Sequence, residues 1–165
     1  MIRYKQILTC KFIGGKKKEP IGKILDVVYS DDYRRITHLV VRNDNLIKNK
    51  IIIPLEEIVF LKEDHILYLK DEKDLNKVLE GGLVEDFNFL EKEIRTEDEE
   101  CIGYVKDILI NKTDGSIEGF IITEGIFEDI LRGRNYIPFF KNILILEDCI
   151  CIPNYIANII NKINN

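Results

Sequence analysis

Two aspartates are the side chains of this 165-residue sequence whose type and position most suggest chemistry, because both recur in the same surroundings. Asp26 follows an Ile-Gly-Lys-Ile-Leu run and Asp107 follows an Ile-Gly-Tyr-Val-Lys run. A carboxylate acts as a general acid or base when a second titratable group nearby tunes its pKa. No such group recurs at a fixed distance from either aspartate. We therefore expect both to accept hydrogen bonds from backbone amides rather than to catalyse a reaction, and we predict that the chain is not an enzyme.

Cysteine and histidine are the other residue types that could supply nucleophilic or metal chemistry. They are Cys10, Cys101, Cys149, Cys151, His38 and His65. Cys149 and Cys151 share one face of a predicted strand, but no second close Cys or His pair completes a tetrahedral metal site. We expect the thiols to be buried like small hydrophobic groups, with metal or disulfide use as the alternative. No catalytic residue, metal or cofactor is predicted.

The elements that position these residues occur twice. Gly22 recurs at Gly103, an offset of 81 positions that holds for the surrounding strands, and Pro54 recurs at Pro138, an offset of 84. Solenoid repeats are usually shorter than this and occur in threes or more. The sequence therefore predicts two domains, at residues 1–82 and 83–165. The repeated glycine, early in its strand, indicates a β-bulge or a tight bend.

The pattern of each copy predicts several short apolar strands separated by turns, which is typical of a small antiparallel barrel. The predicted strands cover residues 7–13, 21–29, 36–41, 58–61 and 66–69 in the first copy, and 84–90, 102–110, 117–122, 143–146 and 150–152 in the second. A helical pattern ends each copy, at residues 71–80 and 154–165. The predicted fold class is mainly β, with two tandem small antiparallel β-barrels, each followed by a short C-terminal α-helix.

The loop before Pro138 is longer than its counterpart and carries the predicted partner-binding patch. Its apolar side chains fall on one side of a short helical turn, with arginines beside them. The patch comprises Ile126, Phe127, Ile130, Leu131, Arg132 and Arg134. The alternative is that the apolar side chains cover the open end of the barrel. Loops carry function more often than strands do, so the patch is the candidate surface for a partner.

Charge and hydropathy restrict the class of partner. A net charge of −5 and a pI near 5.2 argue against a general nucleic-acid binder, which needs a basic face. A local basic patch is left open, formed by Arg34, Arg35, Arg42, Lys48 and Lys50. No apolar run approaches the roughly 18 to 20 residues that a spanning helix needs, and no signal peptide is recognised. We expect a cytoplasmic protein without membrane insertion.

The repeated pattern resembles the PRC-barrel family. The resemblance is carried by the Ile-Gly strand with its aspartate, by the hairpin and apolar strand that follow, and by the Ile-Pro pairs at Pro54 and Pro138. The family fold is shared by the cytoplasmic domain of the photosynthetic reaction centre H subunit and the C-terminal domain of the ribosome maturation factor RimM. The chain is most similar to stand-alone tandem PRC-barrel proteins of Gram-positive bacteria. The resemblance implies a barrel used as a docking surface, with no chemistry of its own.

Two functions follow as expectations. The first is a non-enzymatic protein-protein interaction adapter, with protein partners that the sequence does not identify. The alternative is an accessory factor in RNA processing or ribosome maturation, which would meet a ribosomal or RNA-associated partner. A homo-oligomer is left open.

Overall fold

Two β-sheets organise the chain in a computed structural model, which describes residues 1–14, 18–42, 50–60, 66–69, 87–123 and 136–157. The chain divides into two units. The first comprises Met1–Asp86 with Ile110–Ser116, and the second comprises Phe87–Leu109 with Ile117–Asn165. Strands dominate both, which confirms the mainly β fold class with barrel-like sheets.

The first unit is built from short strands that follow one helix. Its elements are β1 (Ile2–Arg3), α1 (Tyr4–Thr9), β2 (Lys11–Gly14), β3 (Glu19–Tyr29), β4 (Ile36–Arg42), β5 (Lys50–Pro54), a 3-10 helix (Leu55–Glu57), β6 (Ile58–Phe60) and β7 (Ile66–Leu69). The sheet order is β5-β4-β3-β2-β7-β6. Its pairs are antiparallel apart from β2 with β7, which are parallel. Phe12, Ile24 and Leu39 are among its fully buried side chains, as alternating apolar residues on one sheet face require.

The second unit repeats this arrangement. Its strands are β8 (Glu93–Thr96), β9 (Cys101–Ile110), β10 (Ile117–Ile122), β11 (Tyr136–Pro138), β12 (Leu144–Ile145) and β13 (Cys149–Ile152). The sheet order is β11-β10-β9-β8-β13-β12. Here too one pair is parallel, β8 with β13. Phe89, Phe120 and Ile150 are fully buried in it, and residues 154–157 are helical.

Register is the strongest correspondence between the two sheets. Both Ile-Pro pairs face equivalent residues: His38 with Pro54 and Leu39 with Ile53 in the first unit, and Gly119 with Pro138 and Phe120 with Ile137 in the second. The rise in offset from 81 to 84 therefore leaves the strand pairing unchanged. Both prolines lie in edge strands of their sheets within the described residues, where a missing N–H is tolerated.

The predicted first strand, residues 7–13, is wrong over its first half. Tyr4–Thr9 form α1, and β2 begins only at Lys11. Tyr4 and Ile7, three residues apart, are both buried, so one face of a single helical turn reaches the core. The Gln6 side chain accepts a 3.0 Å hydrogen bond from the Arg3 backbone N–H, which satisfies a free donor at the helix start.

The predicted strand at residues 84–90 also fails where it is described. Residues 87–90 form no strand; instead, Asn88 accepts a 2.9 Å hydrogen bond from the Leu90 backbone N–H, and Phe89 closes a turn with Lys92. Asparagine favours such turns because its side chain bonds the backbone two residues on. The predicted helix at 71–80 and residues 158–165 of the C-terminal helix lie outside the described residues.

Candidate functional site

The repeated glycines are places where two strands approach too closely for a side chain. A Cβ on Gly22 would overlap the carbonyl oxygen of Arg42, and one on Gly103 would lie 3.0 Å from that of Thr123. Arg42 and Thr123 are themselves 81 positions apart. In each unit the residue before the glycine is the extra residue of a β-bulge, Ile21 or Ile102. The glycines therefore serve the bend of the sheet.

Asp26 is held by two hydrogen bonds to the same oxygen. Its Oδ1 accepts from the Tyr4 hydroxyl at 2.8 Å and from the Val27 backbone N–H at 2.7 Å. The register of β3 against β4 shifts between Ile24 and Asp26, so the carboxylate follows a second bulge. A carboxylate used in this way supports local backbone geometry.

Asp107 makes the equivalent local bond. Its Oδ1 accepts from the Ile108 backbone N–H at 2.9 Å, and the residue is buried. The tyrosine bond has no sequence counterpart, since the residue 81 positions after Tyr4 is Glu85. The two aspartates thus share the bond to the following residue and differ in their other partners.

The cysteines lie in or near the strands as free thiols. Burial raises the pKa of Cys149 to about 11, with the neighbouring Cys151 thiol adding to the effect, and the two sulfurs are 3.9 Å apart. Burial likewise raises the pKa of Cys10 and of Cys101. Thiols with raised pKa values are poor nucleophiles at neutral pH.

Metal sites and membrane-spanning helices can be assessed in the part of the chain that the structure describes. There, no group of three or more His, Cys, Asp or Glu side chains is placed to hold a metal ion. None of the helices in those ranges is long and apolar enough to cross a membrane.

A pocket of about 270 Å³ lies in the first unit. It is lined by the start of β4, by the end of β5 with the 3-10 helix, and by the turn before β10: Arg35, Ile36, Thr37, His38, Pro54, Leu55, Glu56, Thr113 and Asp114. The turn is fixed to β4 because the Ile36 backbone N–H donates a 2.9 Å hydrogen bond to the carbonyl of Gly115. The φ of Gly115 is 76°, and a Cβ there would lie 2.5 Å from the Ile36 carbonyl oxygen, so the turn requires glycine.

The charges of the pocket fall into two neighbouring pairs. Hydrogen bonds from the Ser116 backbone N–H and hydroxyl lower the pKa of Asp114, and the charge of Arg35 lowers it further. Desolvation lowers the pKa of His38, and the charge of Glu56 partly offsets that effect. At neutral pH the pocket therefore carries one guanidinium, two carboxylates and a neutral imidazole.

A row of three cations crosses the same unit. Arg42 pairs with Lys23 on one side and with Lys50 on the other, so the three side chains share one face of β3, β4 and β5. All three residues are exposed. Of the predicted basic patch, Arg42 and Lys50 are thus brought together, whereas Arg34 lies 3.9 Å from Asp32 and Arg35 lines the pocket.

Exposed apolar side chains concentrate in the second unit. Leu144 and Leu146 are 62% and 46% exposed, in and just beyond β12, which lies at the edge of the sheet in the described residues. Tyr155 is 53% exposed, and its hydroxyl accepts a hydrogen bond from the Asn142 amide at 3.3 Å, which places it beside this strand. We call Leu144, Leu146 and Tyr155 the apolar edge.

The predicted partner-binding patch lies outside the described residues. It comprises Ile126, Phe127, Ile130, Leu131, Arg132 and Arg134. Sequence reasoning missed the pocket, because His38 does not recur and Asp114 reads as an ordinary hairpin residue. The apolar edge left a weak signal in the sequence, two leucines flanking Ile145 where a single inward face needs only every second residue to be apolar.

Residues 82–154 match the family model of the PRC-barrel domain. No curated protein matches the chain.

Proposed function

Because the chain belongs to the PRC-barrel family, we propose that it is a non-enzymatic protein-protein interaction module of the cytoplasm, with one such barrel in each half. The repeated register of the two sheets supports the tandem reading. The family fold, as the resemblance implied, serves elsewhere as a docking scaffold.

The apolar edge is the observation that carries this proposal. Large apolar side chains exposed together on one edge of a sheet are typical of surfaces that meet another protein. β12 is two residues long, and an edge strand in the described residues presents backbone groups that a partner strand can pair with. Leu144 and Tyr155 would then supply the contact area.

The local chemistry also supports a role without catalysis. Asp26 and Asp107 each accept a hydrogen bond from the next backbone N–H, and Cys149 has a raised pKa. These are the residues whose recurrence or spacing had suggested chemistry, and each has a structural use.

The experiment is co-purification of the tagged full chain from its own cells after chemical cross-linking. We expect a defined partner with the wild type and its loss with the double variant Leu144→Glu, Leu146→Glu. Tyr104→Glu is the matched control, because Tyr104 is 49% exposed on β9, away from the sheet edge. Phe127→Asp tests the predicted loop patch in the same assay. If the folded wild type and the folded double variant recover equal amounts of partner, the apolar edge is not the binding surface. The absence of any partner would contradict the proposal.

The cation row favours the second candidate, an accessory factor in RNA processing or ribosome maturation. Lys23, Arg42 and Lys50 place three exposed cationic side chains on one face of neighbouring strands. Such a local basic row can contact the phosphates of RNA, and that binding would weaken with salt. Titration of a labelled single-stranded RNA at rising salt tests this. We expect the double variant Lys23→Gln, Lys50→Gln to bind more weakly with a smaller salt slope; no wild-type binding at low salt would exclude direct RNA contact.

A further inference from the structure

The pocket of the first unit is a concave site that the proposed function does not yet use. We infer that it receives the basic side chain of a protein partner, the guanidinium of an arginine or the ammonium of a lysine. The inference rests on the proposed protein-binding role and gives the partner a chemical feature.

Charge is the first argument. The lining contains one guanidinium, that of Arg35, whose charge lowers the pKa of Asp114. It contains two carboxylic side chains, Glu56 and Asp114, beside His38, whose pKa is lowered by desolvation, so acidic groups outnumber the basic one. A cation is favoured in such a site, and an anion is disfavoured.

Hydrogen-bonding groups are the second argument. The carboxylates of Glu56 and Asp114 are acceptors in the lining, and one oxygen of Asp114 already accepts two hydrogen bonds from Ser116. The Thr37 hydroxyl donates to the Val28 carbonyl at 3.2 Å, so it offers the pocket no free donor. A guanidinium has five N–H donors and an ammonium has three, and neither accepts a hydrogen bond. The lining therefore matches a group that only donates.

Size and apolar lining are the third argument. The volume of about 270 Å³ is just below the roughly 300 to 1,000 Å³ of pockets for drug-sized ligands, so one side chain is an appropriate occupant. Ile36, Pro54 and Leu55 give the wall an apolar part on which the methylene stem of arginine or lysine can pack. The Glu56 end is exposed, so the charged head can reach it from outside.

The experiment is an NMR titration of the 19.3 kDa full chain, labelled with ¹⁵N, using small probes. The probe is N-acetyl-arginine methylamide, which presents the side chain as a protein would. N-acetyl-citrulline methylamide is its neutral isostere, and N-acetyl-glutamate methylamide is the anionic control. We expect the arginine probe to shift the amides of Thr37, His38 and Thr113, with a dissociation constant on the order of 1 mM, since one side chain supplies little contact area.

Two variants test the geometry. Glu56→Gln should lower the affinity for the arginine probe roughly threefold to fivefold, the range expected for a partly exposed charge pair. Glu57→Gln is the matched control in the same 3-10 helix, because Glu57 does not line the pocket. It should leave the affinity unchanged.

Four outcomes of these experiments would overturn the inference, and a fifth would reject the pocket alone. Equal shifts with the citrulline probe, stronger binding of the glutamate probe, or equal effects of Glu56→Gln and Glu57→Gln would overturn the inference. Tighter binding of free L-arginine than of the blocked probe would assign the pocket to a small molecule and would also overturn it. Failure of all probes while cross-linking still captures a partner would reject the pocket alone, and the proposed function would stand.

Discussion

Tyr4 and Asp26 lie 22 positions apart in the sequence, and the tyrosine hydroxyl donates a 2.8 Å hydrogen bond to Oδ1 of the aspartate. The bond attaches α1 to the bulged middle of β3. Tyr4 is buried, and Asp26 is half-buried. The first of the two recurring aspartates thereby holds the first helix on its sheet.

Tyr4→Phe tests this relationship. The variant keeps the ring and removes only the hydroxyl, so we expect a loss of about 1 to 3 kcal/mol in the free energy of unfolding, as for a hydrogen bond to a charged group. Urea denaturation followed by circular dichroism measures it. Tyr155→Phe is the control, because that hydroxyl is exposed and its bond is long; equal stability of Tyr4→Phe and wild type would show that the bond contributes nothing.

Replacing either of the repeated glycines with alanine should destabilise the protein. Gly22→Ala places a Cβ on the carbonyl oxygen of Arg42, and Gly103→Ala places one 3.0 Å from that of Thr123. Since the close atom is a backbone oxygen in both cases, and Gly103 also has a φ of 154°, we expect each variant to lose about 1 to 3 kcal/mol of unfolding free energy.

Gly14→Ala provides the contrast for these two variants. A Cβ on Gly14 would meet first the end of the Ile21 side chain, which can rotate away. Its melting temperature should therefore fall less than those of the other two. If Gly14→Ala lowers the melting temperature as much as Gly22→Ala does, the close approach of two strands is not the reason that Gly22 and Gly103 are glycines.

Much of the fold was predictable because the same pattern of strands and turns occurs twice in the sequence. The Gly-containing strands, the hairpins and the strands after the hairpins follow from apolar periodicity, and the family match over residues 82–154 agrees with the resemblance read from the motif. The strand prediction for residues 7–13 was wrong in its first half because a six-residue helix and a short strand with isoleucine and phenylalanine have similar composition. For apolar runs this short, the two cannot be separated by periodicity.

The candidate sites were less predictable because they depend on residues that are distant in sequence. The pocket joins Arg35 and His38 with Asp114, and the cation row joins Lys23 with Arg42 and Lys50. Each set is defined by register or by a turn that packs on a distant strand. Local composition contains neither the register nor the packing of the turn, so charges that are scattered in the sequence become neighbours only in the folded chain.

Thiol reactivity should separate the native from the unfolded protein. The pKa of Cys149 rises from an ordinary 9.0 to about 11, so the reactive thiolate at neutral pH is about 100-fold rarer than in the unfolded chain. We expect iodoacetamide at neutral pH to modify Cys149 slowly in the native protein and quickly in urea, as measured by peptide mass spectrometry. Rapid native modification of Cys149 would contradict its burial.

The cation row makes a salt-dependent prediction. Lys50→Glu replaces one repulsion with an attraction to Arg42, so we expect a gain of about 0.2 to 1 kcal/mol at low salt. Added salt should reduce the difference, because exposed charges are screened. Urea denaturation at two salt concentrations measures this. Lys106→Glu, exposed on β9, is the control, and an equal gain there would point to net charge rather than to the row.

The pocket makes a pH-dependent prediction through His38. Desolvation holds its pKa below the ordinary 6.5, while Glu56 raises it. The unfolded chain therefore takes up the proton first as the pH falls, so stability should decrease from pH 6.5 down to the folded pKa and be unaffected well above it. Urea denaturation from about pH 7.5 to about pH 5.5 should show this decrease in the wild type and a smaller one in His38→Gln.

The same group allows a direct test of the pocket geometry. Glu56→Gln removes the charge that favours protonated imidazole, so the pKa of His38, measured by NMR titration of its ring protons, should fall below the wild-type value. Glu57→Gln, one residue further along the 3-10 helix, should leave that pKa unchanged. If the pKa of His38 does not fall in Glu56→Gln, or moves equally in the two variants, His38 and Glu56 do not face one another across the pocket.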